Sequence, residues 1–217
     1  MTSNTLLSTL TSPDPEALRA LGEADEVTER ILAAAYEQMA VVGWRRSTVE
    51  DVAKRAGLGR ATVYRKFPSK TALTEAVVLG EMRKYLAGSA VASGGQRTVA
   101  DRMAESAAYT VEFLRSHPLV HRLLETEPET ILPALTVDAG PLVEAFREFC
   151  VNLWRNEFYG ETELSAQTLQ HLRTVAELHI RIALSFILTK SSAIELDTPD
   201  GARHLARHYL APMLDAL

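Results

Sequence analysis

Between Trp44 and Lys70 the run WRRSTVEDVAKRAGLGRATVYRKFPSK sets eight basic side chains (Arg45, Arg46, Lys54, Arg55, Arg60, Arg65, Lys66 and Lys70) against two acidic ones, Glu50 and Asp51. The local net charge is +6 in a chain whose total is −5, so the remainder carries −11. Guanidinium and ammonium groups donate hydrogen bonds and neutralise phosphates, and the interleaved Thr48, Thr62 and Tyr64 supply hydroxyls. A concentrated positive patch on an otherwise acidic protein implies contact with a nucleic acid. A solvated charged face would account for the charge but not for the turn residues set within it.

Those side chains need elements to aim them, and the same stretch supplies two. Thr48 is placed to cap a helix starting at Val49, with Asp51 close to the positive end of the helix dipole. Val49, Val52, Ala53 and Ala56 fall on one face at helical spacing. Gly57 ends that helix, because only glycine takes the left-handed conformation cheaply. A second helix spans 60–67 and stops at Pro68. Its inward residues are Val63 and Phe67, which leaves Arg60, Ala61, Thr62, Tyr64, Arg65 and Lys66 to an outside partner. The pattern is helix-turn-helix. Before it, 26–42 reads as a helix whose stripe (Val27, Ile31, Ala34, Ala35, Gln38, Met39) packs on the other two, ended by Gly43, with Trp44 plugging the join. After it, Ser69 caps a fourth helix that starts at Lys70 and runs through Leu73, Val77, Val78, Met82 and Leu86 until Ser93-Gly94-Gly95 breaks it.

The run TVEDVAKRAGLGRATVYRKFPSKTAL, Thr48 to Leu73, with its preceding helix, resembles the DNA-binding domain of TetR-family transcriptional regulators over about 26–79. One departure is Gly59, where the family commonly has a Ser-like cap; glycine is itself an acceptable N-cap. The resemblance implies base contacts from Arg60, Ala61, Thr62 and Tyr64: an arginine can pair bidentately with guanine, and threonine or alanine can meet a thymine methyl. It implies phosphate contacts from Thr48, Arg65, Lys66 and Lys70, which position the helix without reading sequence. It further implies a homodimer on a pseudopalindromic operator in double-stranded DNA, with half-sites separated by roughly 34 Å or a little more. The family default is a repressor released when a small molecule in the C-terminal domain shifts the fourth helix.

The rest of the chain is expected to be helical: segments 97–116, 118–125, 128–135, 141–158, 165–189 and 200–214, several opened by a proline where its missing N–H costs least. The fold class is therefore all-α. A three-helix DNA-binding domain over 26–72 is followed by a helical bundle for ligand binding and dimerisation over 73–217 and preceded by a flexible acidic tail over 1–25. The segment 165–189 is apolar around nearly its whole circumference, which demands burial on both sides. Ile180, Leu184 and Ile187 there, with Leu205 and Tyr209 from the last segment, are the expected dimer interface. Tyr109, Phe113, Leu123, Phe146, Cys150 and Trp154 are the expected effector pocket, with little fixed charge, which favours a hydrophobic effector.

Length and composition set the remaining limits. A chain of 217 residues, 47% apolar and 24% charged, is ordinary for a folded globular protein. The single cysteine, Cys150, allows no intrachain disulfide and fits a reducing compartment. The N-terminus lacks a basic start to a secretory signal, so a cytoplasmic location is expected. No GxSxG, phosphate loop or CxxC points to an enzyme or a cofactor. His204 and His208 have the i, i+4 spacing of a metal chelate but lack further ligands, as do His117 and His121 across Pro118, so no metal is expected. A helical interaction module with a vestigial reader is the other rival.

Overall fold

The structure, a computed structural model, describes residues 25–189, 191–196 and 198–214; the expected acidic tail lies outside them except for Asp25. Every regular element among the described residues is helical, and the chain is all-α. The elements are α1 (Glu26–Val42), α2 (Val49–Arg55), α3 (Arg60–Lys66), α4 (Lys70–Ser93), α5 (Val99–Arg115), α6 (Pro118–Thr126), α7 (Pro128–Leu135), α8 (Gly140–Trp154), α9 (Ala166–Leu188) and α10 (Pro199–Leu205). They form two compact units, residues up to 84 with 117–139, and residues 85–116 with 140 onward.

In the first unit the periodic stripes become one core. Ile31, Ala34, Ala35 and Met39 of α1 meet Val49, Val52, Ala53 and Ala56 of the second helix and its cap, Val63 and Phe67 around α3, and Leu73 and Val77 of α4. Ile31 and Val63 are wholly buried, each worth about 1.5–3 kcal/mol relative to exposure. Trp44 packs half-buried against this cluster. Local chemistry fixes the boundaries. The Asp25 carboxylate accepts the Thr28 N–H at 2.9 Å to cap α1, and the Thr48 hydroxyl accepts the Asp51 N–H at 3.1 Å to cap α2. Gly57 ends α2 at φ +65°, and the Leu58 N–H returns to the Ala53 carbonyl at 2.9 Å. Gly59 opens α3 without a side-chain cap.

The unit also contains α6 and α7. Leu119 and Leu123 of α6 are buried in the same cluster as Ile31 and Met39, so α6 packs on α1. Proline opens both helices, and His117 caps α6 by accepting the Val120 N–H at 3.3 Å.

In the second unit α8 pairs with α9 through Val151, Trp154, Leu172, Val175 and Ala176. α10 packs on α5, pinned by Arg203 to Glu105 at 2.9 Å and Arg207 to Asp101 at 3.0 Å. Two expected continuous helices change pitch instead. α8 gives way to a π-helical turn, Arg155–Tyr159, ended by Gly160 at φ +58°. α10 passes through a π turn, Ala206–Leu210, into a 3₁₀ turn, Ala211–Leu214. Pro212 sits in that last turn without an N–H to give to a regular α ladder. On α9 the buried residues are Leu172, Val175 and Ala176, all in its first half. None of residues 177–188 is buried, although Leu178, Ile180, Ile182, Leu184, Phe186, Ile187 and Leu188 lie there. No helix among the described residues is long and apolar enough to cross a membrane.

Candidate nucleic-acid interface

The core determines which side of α3 faces outward. Burying Val63 and Phe67 turns Arg60, Ala61, Tyr64 and Arg65 to the exterior, while Thr62 is half-buried. Arg60 lies 5.3 Å over the Tyr64 ring and 3.5 Å from a Glu50 carboxylate oxygen. Tyr64 first, and Glu50 after it, push the Arg60 pKa further up, so its donors stay charged. Tyr64 holds the guanidinium at the N-terminal end of α3, where a helix lying in a major groove meets base edges.

The phosphate candidates separate into two kinds. Arg46, Lys54 and Arg65 are exposed and have no ion pair among the described residues. Thr48 is exposed, and its hydroxyl serves the α2 cap while donating to Asp51 Oδ2 at 2.6 Å. Lys66, by contrast, is paired with Asp25 at 2.6 Å, and that hydrogen bond is the main reason the Asp25 pKa falls well below the usual carboxylate range. Lys70 is half-buried and donates to the Arg45 carbonyl at 3.0 Å; burial pulls its pKa down. Two further arginines tie the reader together. Arg30 donates to the Ala56 carbonyl at 2.7 Å, ending α2, and Arg55 reaches Gln38 at 3.0 Å and Glu37 at 3.3 Å on α1.

The expected effector residues fall in both units. Leu123 belongs to the first unit's core, because α6 folds back on α1. The other five lie in the second unit. Tyr109, Phe113 and Phe146 surround Tyr85 of α4, with ring centroids 5.9, 5.3 and 5.5 Å from its own. The Thr110 hydroxyl donates to the Ser106 carbonyl at 2.7 Å, so the Tyr85 hydroxyl is the donor in its 2.8 Å bond to Thr110. Burial pushes the Tyr85 pKa up to about 12. Tyr85 was not among the residues singled out by sequence; its signal was an aromatic on α4 off the stripe that reaches the reader. Trp154 is buried in the α8–α9 core and Cys150 packs against that core while lying near enough to Tyr85 to raise its pKa; burial pushes the Cys150 thiol up to about 12, far from a reactive thiolate. A polar surface groove lined by Glu144, Arg147, Arg173 and Glu177 contains none of the expected six.

Of the expected dimer residues, Ile180, Leu184, Ile187 and Leu205 are partly exposed and Tyr209 is 64% exposed. The His204 and His208 rings stack at 4.1 Å, and among the described residues no three His, Cys, Asp or Glu side chains come together as a metal site.

Residues 31–77 match the family model for bacterial regulatory proteins of the tetR family. Nucleoid occlusion factors SlmA of Actinobacillus pleuropneumoniae, serotypes 5b and 3, are 36% identical over 83 residues, 38% of this chain. The matched region spans 41% of the length of those relatives. Among solved structures, the TetR family repressor AlkX from Dietzia sp. superposes with a TM-score of 0.63 at 21% identity, covering 86% of this chain and 95% of that one. The fatty acid degradation regulator FadR from Bacillus halodurans gives 0.53 at 14% identity, covering 87% and 98%. At these identities the likeness concerns the fold. Members of the TetR family are DNA-binding transcriptional regulators. The chain therefore carries a TetR-family regulatory domain at residues 31–77, within the all-helical fold of TetR-family regulators.

Proposed function

We propose that this protein is a sequence-specific transcriptional regulator that binds an operator as a homodimer and is released from it by a small-molecule effector. One observation carries the reading: α3 buries Val63 and Phe67 and turns Arg60, Ala61, Tyr64 and Arg65 outward as a single basic, hydroxyl-bearing face. In this reading Arg60, Ala61, Thr62 and Tyr64 meet base edges, and Thr48, Arg65 and Arg46 meet phosphates. Dimerisation is supported by the unburied apolar second half of α9, which needs a partner surface. A second copy supplies it through α9 and the turns after α10, giving a two-fold reader for a pseudopalindromic site.

The effector reading rests on the aromatic group around Tyr85, whose rings and two bonded hydroxyls suit a largely apolar molecule with one polar handle. Effector binding there acts on α4, the helix that begins at Lys70 beside the reader. DNA as the target places the protein's work in the cytoplasm, and repression is the default outcome of occupying an operator. The test is fluorescence anisotropy of genomic duplex fragments across a salt series. Affinity is expected to fall steeply as salt rises, because neutralised phosphates release counterions. Binding that is absent, or indifferent to salt, contradicts the reading.

A further inference from the structure

The turn that joins α1 to α2 is held by charge at both backbone polar groups of one residue, Arg45. The Arg45 N–H donates to both carboxylate oxygens of Glu127, at 3.0 and 3.2 Å, and the Arg45 carbonyl accepts from the Lys70 ammonium at 3.0 Å. The Arg45 guanidinium in turn pairs with Glu129 at 2.5 Å. Glu127 is only 6% exposed and stands at the junction of α6 and α7, while Lys70 is the first residue of α4. Gly43 makes room for the carboxylate: its φ is +86°, and a Cβ there would lie 2.3 Å from Glu127 Oε1. Three elements thus meet at Arg45, one residue before Arg46 and three before the Thr48 cap.

A buried carboxylate is tolerated only where donors and an opposite charge compensate it. Here the Arg45 N–H and the Lys70 ammonium are those compensations. Moving Lys70 to a phosphate would strip the Arg45 carbonyl of its donor and leave Glu127 without its nearby cation. Neutralising Glu127 would slacken the hold on the Arg45 N–H. We propose that Glu127 and Lys70 are positioning residues for DNA binding: they clamp the Arg45 peptide, fix the approach of Arg46 and Thr48 to the backbone, and keep Lys70 itself off the phosphates. The proposal rests on the DNA-binding reading above. It also makes the reader sensitive to any shift of the α6–α7 junction, since Glu127 moves with it.

The experiment uses the full chain, a duplex selected from random sequence and a mixed-sequence duplex, each titrated over a salt series. Arg46→Ala is expected to reduce the slope of log affinity against log salt by about 0.9, the signature of one lost phosphate contact. Lys70→Met and Glu127→Gln are expected to weaken both duplexes several-fold with that slope unchanged, because Arg46 and Thr48 still reach phosphates but must be ordered on binding, and Lys70→Arg to restore binding by keeping a donor to the Arg45 carbonyl. A slope reduced by about 0.9 in Lys70→Met would make Lys70 an ordinary phosphate contact and overturn the proposal. So would wild-type affinity in Glu127→Gln, or a loss on both duplexes in proportion to the unfolded fraction measured by circular dichroism. If the unmodified protein binds neither duplex, the DNA-binding reading fails and the clamp with it; the other outcomes leave that reading standing.

Discussion

The two units differ in how much of their apolar surface they bury unaided. The first closes on itself: Ile31, Met39, Val52, Val63 and Leu73 have at most 1% exposure and draw on four helices. In the second, α9 buries Leu172, Val175 and Ala176 and then shows twelve residues, 177–188, without one buried position. The contrast separates two tasks. A reader must hold α3 at a fixed angle, which a closed core does, while the unit proposed above to dimerise must keep apolar surface for its copy.

The largest expected effect strikes the closed core. Ile31→Ala removes buried volume with no room to relax and should cost about 2–5 kcal/mol in urea unfolding, with loss of operator binding at temperatures where the second unit stays helical. A smaller change would mean that the reader is less self-contained than its burial implies.

Acid should act on the second unit through His179, which stacks edge-on to Trp154 at 5.7 Å and bonds the Leu210 carbonyl at 3.2 Å. Burial depresses its pKa to about 4 from an ordinary 6.5, against the opposing pull of that carbonyl. Below pH 6.5 the unfolded chain takes up a proton that the folded one refuses. The stability from a neutral His179 is therefore intact above pH 6.5 and lost as pH falls toward 4, a total of about 3 kcal/mol. Urea midpoints between those limits should fall in the wild type and fall less in His179→Gln.

Reading specificity should be a smaller term. Arg60→Ala is expected to cost about 1–3 kcal/mol at one base pair and relax preference there, measured by competition between single-base operator variants. Smallest in folding terms is Leu184→Glu on the partly exposed second half of α9. It should leave the monomer's stability within about 0.5 kcal/mol, yet shift the species seen by ultracentrifugation at micromolar concentration from dimer to monomer. A wild type that is already monomeric there would remove the contrast.

Local signals were legible in the sequence and long-range ones were not. The span 26–42, the Thr48 cap, the Gly57 stop and the inward pair Val63 and Phe67 all rest on contacts within a few residues, and each has its expected place. The all-α fold class and the TetR-family resemblance of residues 31–77 followed from them. The carboxylates that engage Lys66 and the Arg45 peptide are 41 and 82 residues away along the chain, so the basic run read as uniform when it is divided between exposed and committed side chains. Nothing local to Leu123 shows that α6 returns to α1, where Leu123 is buried. Tyr85 was passed over because its partners, Thr110, Phe113 and Phe146, come from two other helices. The π turns after Trp154 and Leu205 escaped notice because residue periodicity does not distinguish a widened turn from a regular one.

The reading proposed above makes the protein a paired reader, with a closed core in one unit and an open apolar helix in the other for its copy. Selection of bound sequences from random duplex DNA by the full chain tests it most directly. Enriched inverted repeats, with half-site centres about one helical turn apart or a little more, roughly 34 Å, are the predicted result. Enrichment of a single unrepeated half-site, or none at all, would contradict it.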